Sequence, residues 1–219
     1  MPFIIPSVRP LRTIRPGRSL AAAVTLAIGF TGLAAPPVAI AQGTSKVFAL
    51  KVSPGAAACL PTASGRITVK SLGPVESLHV EVFKLKPKTD YDLFVIQVPN
   101  PPFGLSWYQG DISTDANGNG VGDFVGRFSV ETFIVAPGSA FGPQPVHPVD
   151  AIAGSKNPAI PKPIHTYHLG LWFNSPKDAE AIGCPLTITP FNGDHTAGIQ
   201  VLNTGGFADD NGPLRGFRP

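Results

Sequence analysis

The stretch that decides the fold is ESLHVEVF, residues 76–83. Leu78, Val80 and Val82 fall on one side of an extended chain, and Ser77, His79 and Glu81 on the other. Side chains on a strand alternate with period two, so this pattern predicts a strand with one face in a core and one in water. GRITVKS, 65–71, repeats the pattern with Ile67 and Val69 inward and Arg66, Thr68 and Lys70 outward. KVFALKV (46–52), GLSWYQGDI (104–112), DFVGRFSVETFIV (123–135), PLTITPF (185–191) and AGIQVLN (197–203) read as further strands. In HTYHLGLWF, 165–173, Tyr167, Leu169, Leu171 and Phe173 share a face. YDLFVIQV, 91–98, is apolar on both faces and suits a central strand covered on both sides.

About nine short strands separated by glycine, proline and asparagine turns predict an all-β fold, an antiparallel sandwich or jelly roll. One short helix interrupts it at NSPKDAEAIGC, 174–184. Ser175 is the expected cap, Pro176 the first helical residue, Asp178 the partner in a capping-box-like pair, and Gly183 the stop. Residues 136–163 contain seven prolines and little periodicity, which predicts an extended excursion over the surface. Residues 204–219, rich in glycine, read as a flexible tail.

The first 41 residues read as an export signal. Arg9, Arg12, Arg15 and Arg18 precede a 16-residue apolar run, Leu20–Ala35, and then the small-residue site Ala39-Ile40-Ala41. The run is shorter than the ~20 residues that span a bilayer. Residues 42–219 are the expected mature chain, one domain in length, with no membrane span left after cleavage. Of 17 basic and 14 acidic residues, four basic ones leave with the leader, so 13 remain against 14 and the net charge becomes −1. Without a basic stripe, nucleic acid is excluded as a partner, and so is an anionic membrane surface.

Cys59 and Cys184 are the only cysteines. In an exported chain they are expected to form a disulfide, which also removes any cysteine nucleophile. No serine-nucleophile elbow, phosphate loop or dinucleotide fingerprint is present.

Three groups of residues remain as candidates for chemistry. The loop TDANGNGVGDF, 114–124, places Asp115, Asn117, Asn119 and Asp123 at calcium-loop spacing. The bidentate position, however, falls on Gly126, and two Asn-Gly pairs favour a hairpin turn. Any calcium site there would be weak. His79, His168 and His195 would make a transition-metal site only if their strands brought them together. No protein cofactor is otherwise indicated. Trp107, Tyr108 and Trp172 are the candidate ligand-binding aromatics, since an exposed ring can stack on a sugar or anchor a partner.

The runs HVEVFKLKPKTDYDLFVIQVPNPPFGLSWYQGDISTD (79–115) and HTYHLGLWFNSPKDAEAIGCPLTITPFNGDHTAGIQVLN (165–203) resemble uncharacterised secreted proteins of soil bacteria, actinobacteria in particular. The resemblance implies export and a shared fold, and it carries no functional residue. The leading expectation is a secreted, disulfide-closed, non-catalytic protein that binds an extracellular ligand or protein, or belongs to the envelope or matrix. The alternatives are a carbohydrate-binding or carbohydrate-cleaving domain and a metal-binding extracellular protein.

Overall fold

A computed structural model describes residues 44–131, 164–189 and 196–217. The expected leader (1–41), the proline-rich stretch 136–163 and His195 lie outside the described residues. The elements in chain order are β1 (Ser45–Val52), β2 (Ser64–Ser71), β3 (Glu76–Phe83), β4 (Asp90–Ile96), β5 (Ser106–Ser113), β6 (Gly120–Gly126), β7 (Val130–Glu131), β8 (Ile164–His165), β9 (His168–Phe173), α1 (Pro176–Glu180) and β10 (Gln200–Asn203). Every strand pair among them is antiparallel, as expected for an all-β antiparallel fold.

Eight strands form one ladder in the order β5-β4-β9-β10-β1-β2-β3-β6. β1 belongs to both halves of it. Ser45–Leu50 pair with β2, and Lys51 and Val52 pair with β10. The ladder thus bends at β1 into two leaves, β1-β2-β3-β6 and β5-β4-β9-β10. β5 and β6, the outermost strands of the two leaves, are joined by the hairpin through residues 114–119 and bridged at Thr114 and Gly120. The leaves are therefore connected on both sides, an arrangement between a sandwich and a flattened barrel.

The alternating side chains meet between the leaves. Ile67, Val69, Leu78, Val80 and Val82 come from one leaf, and Leu93, Val95, Leu169, Leu171, Phe173 and Val201 from the other, all buried in one core. Each such side chain taken out of water contributes on the order of 1.5–3 kcal/mol. β4 is buried on both faces after its first residue, as its two-sided apolar pattern predicts. Its outer face carries a second, smaller cluster of Phe94, Ile96, Trp172 and Ala197, with Phe103 packed against it.

Cys59 and Cys184 are bonded, with Cα atoms 5.1 Å apart. The bond ties the β1–β2 connection to the residues just after α1. Ser175 caps α1, its hydroxyl accepting from the Lys177 N–H, and Pro176 opens the helix. The capping-box role expected of Asp178 is not what its carboxylate does. Asp178 instead accepts from the Lys86 ammonium, which fastens α1 to the β3–β4 connection.

Three segments depart from expectation. The strand expected over 123–135 is split, among its described residues, into β6, which begins at Gly120 and ends at Gly126, and β7, Val130–Glu131, while 132–135 lie outside the described residues. The buried carboxylate of Glu76 accepts from the Phe128 N–H (2.6 Å), the Ser129 N–H (3.0 Å) and the Ser129 hydroxyl, and so turns the chain there. The strand expected over 185–191 is reduced, among its described residues, to a single bridge between Thr189 and Ala197. A tight turn, Thr187 N–H to Pro185 O at 2.8 Å, keeps its start out of the ladder and leaves Leu186 and Ile188 exposed. The tail expected to be flexible is docked as far as Phe217. Leu214 and Phe217 are buried in the main core, and the Leu214 N–H donates to Tyr167 O. Glycine content suggested fraying, but two apolar side chains anchor the segment.

Candidate functional site

The loop 114–119 is a turn in its hydrogen bonding. The Asp115 carboxylate accepts from the Asn117 and Asn119 backbone N–H groups at 2.7 and 2.9 Å. Those amides hold its pKa below the ordinary carboxylate value. One oxygen of the carboxylate, Oδ1, is thus engaged by both amide hydrogens. Asp123 points elsewhere, to His79 Nδ1 at 2.7 Å across the β3–β6 pair.

His168 is fully buried on β9. Its Nε2–H donates to Ala208 O and Asp209 O at 3.2 and 3.1 Å, and Nδ1 accepts from the Thr204 hydroxyl at 2.8 Å. Both ring nitrogens are therefore occupied by the chain segment that follows β10. Burial pushes its pKa below the usual histidine value, against the pull of the two carbonyls. His79 is exposed on the outer face of the other leaf, so these two histidines are not brought together. Among the described residues no group of three histidine, cysteine or acidic side chains could hold a metal ion. No helix among them is long and apolar enough to cross a membrane.

The three candidate aromatics separate. Trp107 packs against the main core. Tyr108 lies on the opposite side of β5, is 45% exposed, and donates its hydroxyl to Asp111 at 2.6 Å. A bulge between β4 and β5 sets Tyr108 directly across from Phe94. From there a chain of ring contacts crosses the outer face of β4 and β9. Tyr108–Phe94, Phe94–Trp172 and Trp172–Phe103 have centroids 5.6, 5.4 and 5.1 Å apart. Gly170 makes room for this row, because a Cβ there would lie 2.5 Å from the Trp172 ring. Tyr108 and Trp172 thus share one aromatic row that Trp107 does not join.

The row ends at a cavity of about 370 Å³, within the size range of small-molecule sites. Phe103, Ile199, Pro54 and Pro101 line its apolar side together with the fully buried Trp172, and Asn100, Gln200 and Thr189 are among its polar groups. The wall carrying Phe103 is held from below. Gln200 Nε2 and Asn203 Nδ2 both donate to Pro99 O, at 3.1 and 2.9 Å, and Asn203 Nδ2 also donates to Gln200 Oε1 at 2.8 Å. The Gln97 N–H donates to Phe103 O and Leu105 O. Phe103 sits at φ +59°, a conformation that non-glycine residues rarely adopt. Such backbone is retained where surrounding bonds fix it, commonly at binding sites.

Among the described residues, no carboxylate, lysine, arginine or histidine lines this cavity. The described lining offers dispersion and aromatic contact, with amide and hydroxyl groups to orient a ligand. Phe103, Asn100 and Gln200 were not singled out by sequence. The available signals were the proline-stiffened PNPPFG stretch and two amides, Gln200 and Asn203, bracketing the apolar Val201-Leu202 of β10.

No protein-family model matches the chain, and no curated protein matches it.

Proposed function

We propose that the chain is an exported, disulfide-closed β-module that works by binding and not by catalysis, as a free binding protein or as a part of the envelope or matrix. Its ligand is neutral and largely apolar, and it enters the cavity between Phe103, Trp172 and Ile199. The observation that carries this reading is the lining itself, two aromatic rings and an isoleucine among amides and hydroxyls, with no ionisable group among the described residues. Burying an unpaired charge there would cost several kcal/mol, so charged ligands are disfavoured.

The test uses a single-tryptophan form, Trp107→Phe, so that fluorescence reports Trp172 alone. The neutral probe N-phenyl-1-naphthylamine is expected to quench Trp172 saturably. Thr187→Phe, which places a large ring on an exposed lining residue without adding a tryptophan, is expected to abolish this quenching without changing the melt. Quenching that survives Thr187→Phe, or that is produced only by charged probes, overturns the reading. A second reading, recognition of neutral sugar rings, rests on the half-exposed ring of Tyr108 at the other end of the aromatic row. Glycan binding lost in Tyr108→Ala but retained in Thr187→Phe would favour it.

A further inference from the structure

Away from this cavity, the segment after β10 is fastened by side chains and not by a ladder. Residues 205–217 form turns and no strand. Among the described residues, one main-chain hydrogen bond joins them to the chain before β10, from Leu214 N–H to Tyr167 O at 3.1 Å. Leu214 and Phe217 enter the main core, and Phe207 meets Phe48 edge to face at 6.2 Å. Lys46 Nζ donates to Pro213 O at 3.0 Å, and the Arg215 guanidinium lies 5.7 Å over the Tyr167 ring. A segment held in this way opens at a lower free energy than the strands it covers.

His168 sits under the middle of this segment, with Nε2–H on Ala208 O and Asp209 O and Nδ1 on the Thr204 hydroxyl. The fit is close, since a Cβ on Gly212 would lie 2.1 Å from Tyr167 O and 2.8 Å from His168 Nε2. Hydrogen bonding does not forbid a charged ring there. The Thr204 hydroxyl accepts from the Leu169 N–H at 3.2 Å and lies 3.4 Å from Leu169 O, so it can turn its proton to that carbonyl and accept from Nδ1–H. What opposes the charge is burial away from water. The surroundings offset little of that cost. Ile96 of β4 stands opposite His168, and Tyr167 and Leu169 flank it in the chain. Asp209, on the segment itself, is the described charged group that acts on the ring. Lys46 and Arg215 are engaged elsewhere on the segment, and His165 is stacked on Tyr167 at 5.4 Å. We propose that the segment is an acid-released clasp: when His168 takes up a proton, residues 205–217 leave their seat and the ring reaches water, while both leaves stay folded.

The seated ring holds a proton more weakly than an exposed one. The released form therefore gains the proton first as pH falls, and release becomes easier below about pH 6.5. Between pH 7.5 and pH 5.0 the release constant rises by at most about thirtyfold, the limit reached when the seated ring stays neutral throughout. That window ends above the ordinary carboxylate range, so the histidines are the side chains that titrate in it. Release uncovers the apolar end of the core at Phe48 and Tyr167, and acidity is converted into exposed apolar surface.

Native-state amide hydrogen exchange of the mature chain at pH 7.5 and pH 5.0, corrected for intrinsic rates and repeated in low urea, tests the proposal. The Leu214 and Phe217 amides should exchange through an opening that low urea does not change, and their protection should fall severalfold at pH 5.0. The Val80 amide, inside the β2-β3-β6 ladder, should stay better protected at both pH values and respond to urea. His168→Gln should weaken Leu214 protection at pH 7.5 and remove its dependence on pH, whereas His165→Gln should keep that dependence. Leu214→Ala, which takes an apolar anchor from the seat, should lower Phe217 protection at both pH values and leave the ratio between them unchanged. Leu214 protection equal at the two pH values overturns the proposal. So does a Leu214 amide that shares the protection and urea response of Val80, since the segment would then leave only when the whole fold does.

Discussion

His168 is a titratable ring in a layer of aliphatic ones, and its environment sets both its charge and its role. Leu169 and Leu171 on the same strand are as buried as it is, yet its two nitrogens are spent on Thr204, Ala208 and Asp209. It is the latch that holds the last described segment against β9. Burial lowers its folded pKa, while the unfolded chain keeps the ordinary value of about 6.5. The unfolded state then binds a proton first as pH falls, so the stabilisation from neutral His168 is complete above about pH 6.5 and is lost below it. Urea midpoints measured between pH 8 and pH 4.5 should fall on the acid side of 6.5 in the wild type. His168→Gln should be less stable at pH 8, because about 1–3 kcal/mol attaches to each buried partner left unsatisfied, and its acid slope near pH 6 should be shallower. Equal slopes in the two proteins would remove His168 from the account.

At the scale of elements, the β5–β6 hairpin joins the two leaves, and Gly118 is its critical position. Gly118 has φ +76°, and a Cβ there would lie 2.1 Å from the Leu85 carbonyl oxygen. The contact is tight because the β3–β4 connection is stitched to the hairpin by Leu85 N–H to Gly118 O and Lys88 N–H to Asp115 O. Gly118→Ala is expected to cost about 2–4 kcal/mol, from the left-handed backbone plus displacement of Leu85. Gly73, at φ +92° with open space around it, isolates the conformational part, and Gly73→Ala should cost only about 1 kcal/mol. Chemical denaturation of both variants distinguishes the two contributions; equal losses would mean that Leu85 yields freely. Because Asp115 Oδ1 is engaged by two backbone amides and Asp123 is turned to His79, millimolar calcium is expected to leave the melting temperature unchanged.

Across the whole molecule, the disulfide spans 125 residues of sequence and both leaves. The chain-entropy account assigns a loop of that length up to about 4.8 kcal/mol, through restriction of the unfolded chain. The double variant Cys59→Ser, Cys184→Ser should therefore lose several kcal/mol in calorimetry under non-reducing conditions. It should keep the β-sheet circular dichroism of the wild type at low temperature. Reductant should destabilise the wild type by a similar amount and leave the variant unaffected. If the variant matched the wild type in stability, the shared core, β1 and the β5–β6 hairpin would hold the two leaves without help from the bond.

Much of this architecture was legible in the sequence because burial in β-structure is periodic. ESLHVEVF, GRITVKS and HTYHLGLWF each announce which side chains face the core, and Ser175-Pro176 announces the helix start, since these are local relations two or three residues apart. Two cysteines in a chain read as exported leave one intramolecular pairing. What only the tertiary structure decided are the relations between distant residues. Glu76 ends β6 from 52 residues away, and His168 holds a glycine-rich tail 40 residues on. Gln200 and Asn203 reach back a hundred residues to carry the wall of the cavity. A polar side chain's partner is chosen by which strands become neighbours, and one chain's periodicity does not encode that order.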